Sequence, residues 1–405
     1  MKILHVHDHY RPCGGAEVYF MDILDSLEKK GHENVVLYSA LNESEENGGT
    51  RKEYFVPPSP GLRRGFSLFG RIRKIVSHEK PDVIHIHGFH GNTSPFVVRI
   101  LRKMGPSVHT AHDVLAFCLN HKKIHGNEES TCTRPVGWGC LTSGCVRPSR
   151  EMDMRFIIKS AIVQHIEMLQ YRRFNKIIVA SDYMKKEMIR NGISPDRVEC
   201  LYYFLNVEND WASRVGEIGK DNTILYVGRI EKNKGVVEFI EILSMIRDVS
   251  WKAKIIGYGN AGDEVRNKIK VMGLSEKIDM LGHVTHGELS QHYIASSLVA
   301  VPSCYPEPFG LVGLEAMYFG RPVVAFNVGG IGEWLKDKQT GFLVEFPDRK
   351  LFAEKIECLL RDKSLSEKFG KNGQEEVKRF LSKEDHINCL LHIYQGVINN
   401  WKTRR

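Results

Sequence analysis

The sequence predicts an α/β protein made of two doubly wound domains, each with a mostly parallel sheet. Three observations predict it. Short β-branched runs alternate with amphipathic helical stretches along the chain, the pattern of parallel strands joined by crossover helices. That alternation starts afresh at Thr223-Ile-Leu-Tyr-Val227, beyond the polar stretch Asn206 to Asn222. A length of 405 residues also exceeds what one hydrophobic core ordinarily supports.

The elements follow in order. Residues 1–205 form the expected first domain, with strands at 2–7, 33–39, 82–87, 107–111, 176–179 and 198–201. Each is a short run rich in Val and Ile. Helical spacing of apolar residues marks 16–30, 66–79, 94–104, 151–173 and 182–191. The second domain, 206–383, has strands at 223–227, 251–256, 277–281, 298–301 and 322–325. Helices near 234–247, 262–272, 286–296 and 310–319 lie between them. A long helical tail ends in a helix near 384–405 that is expected to pack back on the first domain.

Composition narrows the function. With 42% apolar and 26% charged residues, the chain reads as a globular protein. No run of about 18 apolar residues marks a spanning helix. The opening Met1-Lys-Ile-Leu-His-Val-His reads as a strand, because it lacks a long apolar region and a cleavage site. A cytoplasmic location is therefore expected. The net charge of +8 suits an anionic ligand or membrane surface. No aromatic-interleaved basic patch or zinc-finger spacing supports a nucleic-acid partner.

Chemistry concentrates in Glu307-Pro-Phe-Gly-Leu-Val-Gly-Leu-Glu315 and Tyr226-Val-Gly-Arg-Ile-Glu-Lys-Asn-Lys-Gly235. Carboxylates accept hydrogen bonds from sugar hydroxyls, while Arg229, Lys234 and free helix-start N–H groups suit phosphate oxygens. Arg229 is expected at a strand end and Lys234 at the opening of the next helix. Gly310 lets backbone approach a ligand, and the helix begins near Leu311. A macrodipole role alone accounts for Glu307 in part but poorly for Glu315, which follows Leu314 in an apolar helix. Together these groups fit a sugar joined to a diphosphate.

Several motifs in order give a definite resemblance. Gly282-His-Val284, Pro302-Ser303, Glu307 to Glu315, Gly320-Arg-Pro-Val-Val-Ala325, Gly329-Gly-Ile-Gly-Glu333 and Thr340-Gly-Phe-Leu-Val344 are similar to those of family 4 glycosyltransferases of the GT-B fold. The resemblance implies two Rossmann-like domains facing across a cleft. It also implies retaining transfer of a sugar from a nucleotide donor, UDP- or GDP-linked, without a required metal or other cofactor. It places the diphosphate on Arg229 and Lys234, the donor sugar on Glu307, and the ribose on Glu315. Backbone at Phe309, Gly310, Leu311 and Val312 would contact sugar and phosphate, and His283 and Val284 would lie beside the base.

The first domain adds Pro12-Cys-Gly-Gly-Ala-Glu17 after strand one and His112-Asp113 after the strand at 107–111. Glycine pairs are routine at helix entries, and lone histidines are usually structural. The resemblance assigns Gly14 and Gly15 to donor and acceptor, and His112 to a sugar hydroxyl. His85 and His87 alternate with Ile84 and Ile86, so His87 is a further candidate for the cleft edge.

Cys118, Cys132, Cys140 and Cys145 suit a structural zinc site by residue type. Their spacing of 13, 7 and 4 intervening residues lacks the usual close pairs, so an Fe–S cluster and unligated or redox-labile thiols stand as the alternatives. The basic stretch Gly61 to Lys74 carries Arg63, Arg64, Arg71, Arg73 and Lys74 beside Phe66, Leu68 and Phe69. It reads either as a helix on an anionic bilayer, where a lipid-linked acceptor would be reached, or as a helix packed on its sheet. The expected activity is transfer to a glycan or lipid-linked acceptor in surface polysaccharide or glycolipid assembly, at the inner face of the cell membrane. A sugar-nucleotide epimerase of related fold and a non-catalytic nucleotide-sugar binder are the alternatives.

Overall fold

The computed structural model describes residues 1–10, 14–39, 51–58, 62–88, 94–114, 117–120, 122–124, 130–143, 145–146, 154–205 and 221–403, without the side chains of 62–67 and 286. The chain forms two compact units. One comprises Met1–Gly126, Thr133–Tyr202 and Glu384–Arg405, and the other Asn127–Cys132 and Tyr203–Lys383. The polar stretch 206–220 lies outside the described residues.

The first unit carries strands β1 (Lys2–His7), β2 (Glu33–Tyr38), β3 (Lys52–Phe55), β4 (Val83–Ile86), β5 (Ser107–Ala111), β6 (Lys176–Val179) and β7 (Val198–Cys200). They form one sheet in the order β3-β2-β1-β4-β5-β6-β7, and every pairing is parallel. Ile3, Leu4, Val6, Val35, Val83, Ile84 and Val108 are buried, as a sheet covered on both faces requires. The strand order reverses between β1 and β4, the kind of switch point beside which ligands of such sheets bind.

The second unit repeats the plan with β8 (Thr223–Val227), β9 (Lys252–Ile256), β10 (Ile278–Gly282), β11 (Leu298–Val301), β12 (Val323–Phe326) and β13 (Gly341–Val344). Their order is β10-β9-β8-β11-β12-β13, again all parallel. The switch point falls between β8 and β11.

β3 and β13 were not expected. Lys52-Glu-Tyr-Phe55 is a charged edge strand with no β-branched residue, and β13 is a short four-residue edge strand. Lys234 also departs from expectation. It closes a 3₁₀ turn, Lys232–Lys234, and the α-helix starts only at Val236. Gly235 intervenes with φ of +70°. A Cβ there would lie 1.7 Å from the Pro302 carbonyl oxygen, so the position requires glycine.

The C-terminal helix Lys383–Thr403 belongs to the first unit from Glu384 onward. Its buried Tyr394 places a hydroxyl 2.6 Å from His85 Nδ1, and His386 Nε2 lies 2.8 Å from the Tyr19 hydroxyl.

Candidate functional site

The second unit brings Lys234 and Glu307 together. The turn after β8 delivers Lys234, and the loop after β11 delivers Glu307. Lys234 Nζ donates to both Glu307 carboxylate oxygens, at 2.8 and 2.9 Å, and to the Tyr305 hydroxyl at 3.2 Å. Ser303 Oγ donates to Glu307 Oε1 at 2.6 Å and the Tyr305 hydroxyl to Oε2 at 3.1 Å. Three ammonium donors and both carboxylate oxygens are thus used in one compact network.

Packing sets that geometry. Cys304 N donates to Asn233 O at 3.0 Å, tying the two loops together. Gly329, at φ of +64°, lies so close that a Cβ would come within 2.2 Å of Glu307 O. Gly330 N donates to that same oxygen at 2.8 Å.

Electrostatics follow from burial. Burial works against the Lys234 ammonium, but the neighbouring Glu307 carboxylate outweighs it, so its pKa stands above the ordinary lysine value. Burial and the Glu307 charge together push the Tyr305 phenol up. Lys234 stays cationic and Tyr305 neutral at physiological pH.

Just downstream, the helix Leu311–Tyr318 begins after Gly310, whose φ is +92°. Gly310 has no side chain to accept from the first helical N–H groups, so these suit an anion. Leu311 and Val312 are half-buried. Phe309 is not an open contact: its ring is buried against Tyr203 and Phe380. Its carbonyl accepts from Trp334 Nε1 at 2.6 Å.

Glu315 is half-buried and accepts from the Tyr293 hydroxyl at 2.6 Å. Arg229 is exposed and pairs with Glu231 at 3.0 Å, apart from the Lys234 network in its bonding. His283 is exposed with its ring 5.9 Å from that of Tyr258, and Val284 is half-buried.

The first unit holds the remaining candidates. Gly14 is the N-cap of the helix Gly15–Lys29, and Val18 N donates to its carbonyl at 3.0 Å. A Cβ at Gly15 would meet nothing within 4 Å. His112 is half-buried, 5.9 Å from the His87 ring and 5.7 Å from that of Tyr19. Burial, with His7 adding to it, pushes its pKa down to about 3, so the imidazole is neutral at physiological pH. His87 is buried rather than set at an edge.

The four clustered cysteines do not assemble. Cys118 is buried with its thiol on Asn120 Oδ1, and Cys145 Sγ accepts from Ser143 Oγ. Among the described residues no three of Cys118, Cys132, Cys140 and Cys145 bring their sulfurs within 4.8 Å of one another. In the helix Leu62–Glu79, Leu68, Ile72, Ile75 and Val76 are buried while Arg71, Arg73 and Lys74 are exposed. No helix among the described residues is long and apolar enough to cross a membrane.

Sequence reasoning gave no role to Ser303, Tyr305, Tyr293 or Trp334. Ser303 and Tyr305 stood four and two residues before Glu307, a legible signal. Tyr293 and Trp334 had none.

Two Rossmann-like units, each with a parallel sheet, are the architecture of GT-B glycosyltransferases. The Anabaena protein HepE, solved with UDP and glucose, has this fold with a TM-score of 0.68 at 20% identity, covering 98% of this chain and all of its own. Residues 13–209 match the model of Glycosyltransferase Family 4 and residues 208–376 that of glycosyl transferases group 1. A D-inositol 3-phosphate glycosyltransferase of Corynebacterium diphtheriae is 26% identical over 94% of this chain and 91% of its own length. A capsular polysaccharide biosynthesis glycosyltransferase of Staphylococcus aureus is 32% identical over 51% of this chain and 58% of its own. The chain belongs to the family 4 type of GT-B glycosyltransferases.

Proposed function

We propose that this glycosyltransferase moves a hexose from a UDP-linked donor, with retention of anomeric configuration, to a hydroxyl of a glycan or lipid-linked acceptor. The observation that carries this reading is the Lys234–Glu307 pair, with Glu307 four residues ahead of a helix start that no side chain caps. Lys234, with Arg229 swinging from Glu231, neutralises the diphosphate, and the first N–H groups from Leu311 add to it. Glu307 then holds donor-sugar hydroxyls, Glu315 the ribose, and His283 and Val284 flank the base. His112, Gly14 and Gly15 serve the sugar and acceptor.

The acceptor oxygen bonds to the anomeric carbon as the bond to the diphosphate breaks. The departing phosphate oxygen takes the acceptor's proton, and the cations stabilise the charge growing there. The UDP and glucose found with HepE favour uridine over guanosine. The capsular relative favours surface polysaccharide assembly. The exposed Arg71, Arg73 and Lys74 would face an anionic cytoplasmic membrane surface.

A panel of UDP- and GDP-sugars tests the donor, since a ligand that prefers the native state raises its melting temperature. A UDP-hexose should raise it most, and the anomeric coupling of the transferred sugar should match that of the donor. A preference for GDP-sugars, or an inverted product, would overturn the corresponding part.

A further inference from the structure

Three imidazoles meet inside the first unit. His5 lies on β1 and His85 on β4, directly in register. His87 follows β4 and donates its backbone N–H to Val6 O at 2.8 Å. Alternation along a strand puts His85 and His87 on one face. All three side chains are buried. One ring nitrogen from each lies within 4.8 Å of the other two, the one such metal-ligating group among the described residues.

The hydrogen bonds fix two of the tautomers. Asn34 Nδ2 donates to Leu24 O at 2.8 Å, so its Oδ1 faces His5 and accepts from His5 Nε2–H at 3.1 Å. His5 Nδ1 is left with a lone pair and accepts from His87 Nε2–H at 3.2 Å. His87 Nδ1 then points a second lone pair into the protein with no partner among the described residues. Buried polar atoms are rarely left so.

Shifting the His87 proton from Nε2 to Nδ1 gives up the bond to His5 and leaves Nδ1 unpartnered as before, now as a donor. It leaves two lone pairs facing each other at 3.2 Å. Two imidazoles on a tetrahedral cation, at metal–nitrogen distances near 2.0–2.1 Å, stand about 3.3 Å apart. His85 supplies the third nitrogen. Its Nε2 lies 2.8 Å from Thr110 Oγ1, and its Nδ1 lies 2.6 Å from the Tyr394 hydroxyl. Asn34, on His5 Nε2, thus stands as an outer partner that orients a metal-bound imidazole, and at His85 a cation would displace one of the two hydroxyls from its nitrogen. Burial also keeps the rings neutral, His5 with a pKa of about 3 and the other two well below the usual histidine value. The neutral ring is the ligating form.

We propose that His5, His85 and His87 form a binding site for a divalent transition cation of the zinc type. None of the clustered cysteines takes part, and the ring of His112 stacks 5.9 Å from that of His87. With Tyr394 beside His85, the bound cation would brace the C-terminal helix against the sheet.

The test adds Co(II) or Zn(II) to full-length protein first treated with EDTA. One equivalent of Co(II) should bind, giving visible bands of nitrogen ligation without the intense near-ultraviolet bands of cobalt–thiolate bonds. Zn(II) should raise the melting temperature. His87→Gln should lose both responses. Asn34→Ala should keep the visible bands but weaken Co(II) binding by about 10–100-fold, which serves if His87→Gln does not fold. The proposal fails if wild type shows neither response, if either variant binds as wild type does, or if thiolate bands appear and vanish in Cys118→Ser.

Discussion

Lys234 and Glu307 neutralise each other through two contacts of 2.8 and 2.9 Å. A diphosphate can therefore engage Lys234 only by drawing it away from its own carboxylate. Glu307→Gln keeps an acceptor but removes the charge. It should lower the stability of ligand-free protein by about 1–3 kcal/mol while leaving UDP affinity unchanged or tighter. Sugar transfer should fall by about 10²–10³-fold. Calorimetric UDP titration alongside turnover separates the two effects, and a parallel loss of both would contradict the assigned roles.

Tyr293 donates to Glu315 at 2.6 Å from a buried position. Tyr293→Phe keeps the ring and its stacking on Phe319 but takes the hydroxyl away from the carboxylate. UDP binding should weaken by roughly 3–10-fold, with kcat nearly constant. An unchanged KM for donor would remove Glu315 from the nucleotide site.

Gly235 tolerates no side chain, because a Cβ would lie 1.7 Å from Pro302 O at a left-handed backbone position. Gly235→Ala should cost about 2–4 kcal/mol, read from urea unfolding, and should displace Lys234. A variant of wild-type stability would show that the two loops move apart freely.

His386 donates from Nδ1 to Tyr202 O at 2.9 Å and accepts at Nε2 from the Tyr19 hydroxyl. Burial lowers its pKa from 6.5 to about 4. Between those values the unfolded chain binds the proton and the native one does not. Stability is therefore intact above pH 6.5 and falls as the pH drops toward 4, by up to about 1.4 kcal/mol per pH unit from this group. His386→Gln should flatten part of that acid limb in melts at pH 4.5–7. An identical slope would locate the sensitivity elsewhere.

Much of this was legible in the residues. Val- and Ile-rich strands with 3.6-residue spacing between them announce parallel sheets, and the fresh start at Thr223 announces a second one. Glu307, Lys234 and Gly310 stood out because charge and glycine sat at strand ends. The partners that orient them did not, since Tyr293 meets Glu315 across 22 positions by packing that no local pattern encodes. The edge strand at Lys52 escaped because a charged edge lacks the β-branched signal. Four thiols in one region carry no information on whether their sulfurs converge.

The last 22 residues, Glu384–Arg405, belong to the unit that the first residues begin. Ribosomal synthesis therefore finishes the second sheet before the first has its Tyr394 and His386. The amino-terminal half must wait, incomplete, until Tyr394 has been added. A nonsense mutation ahead of codon 386 would cripple the part of the protein made earliest.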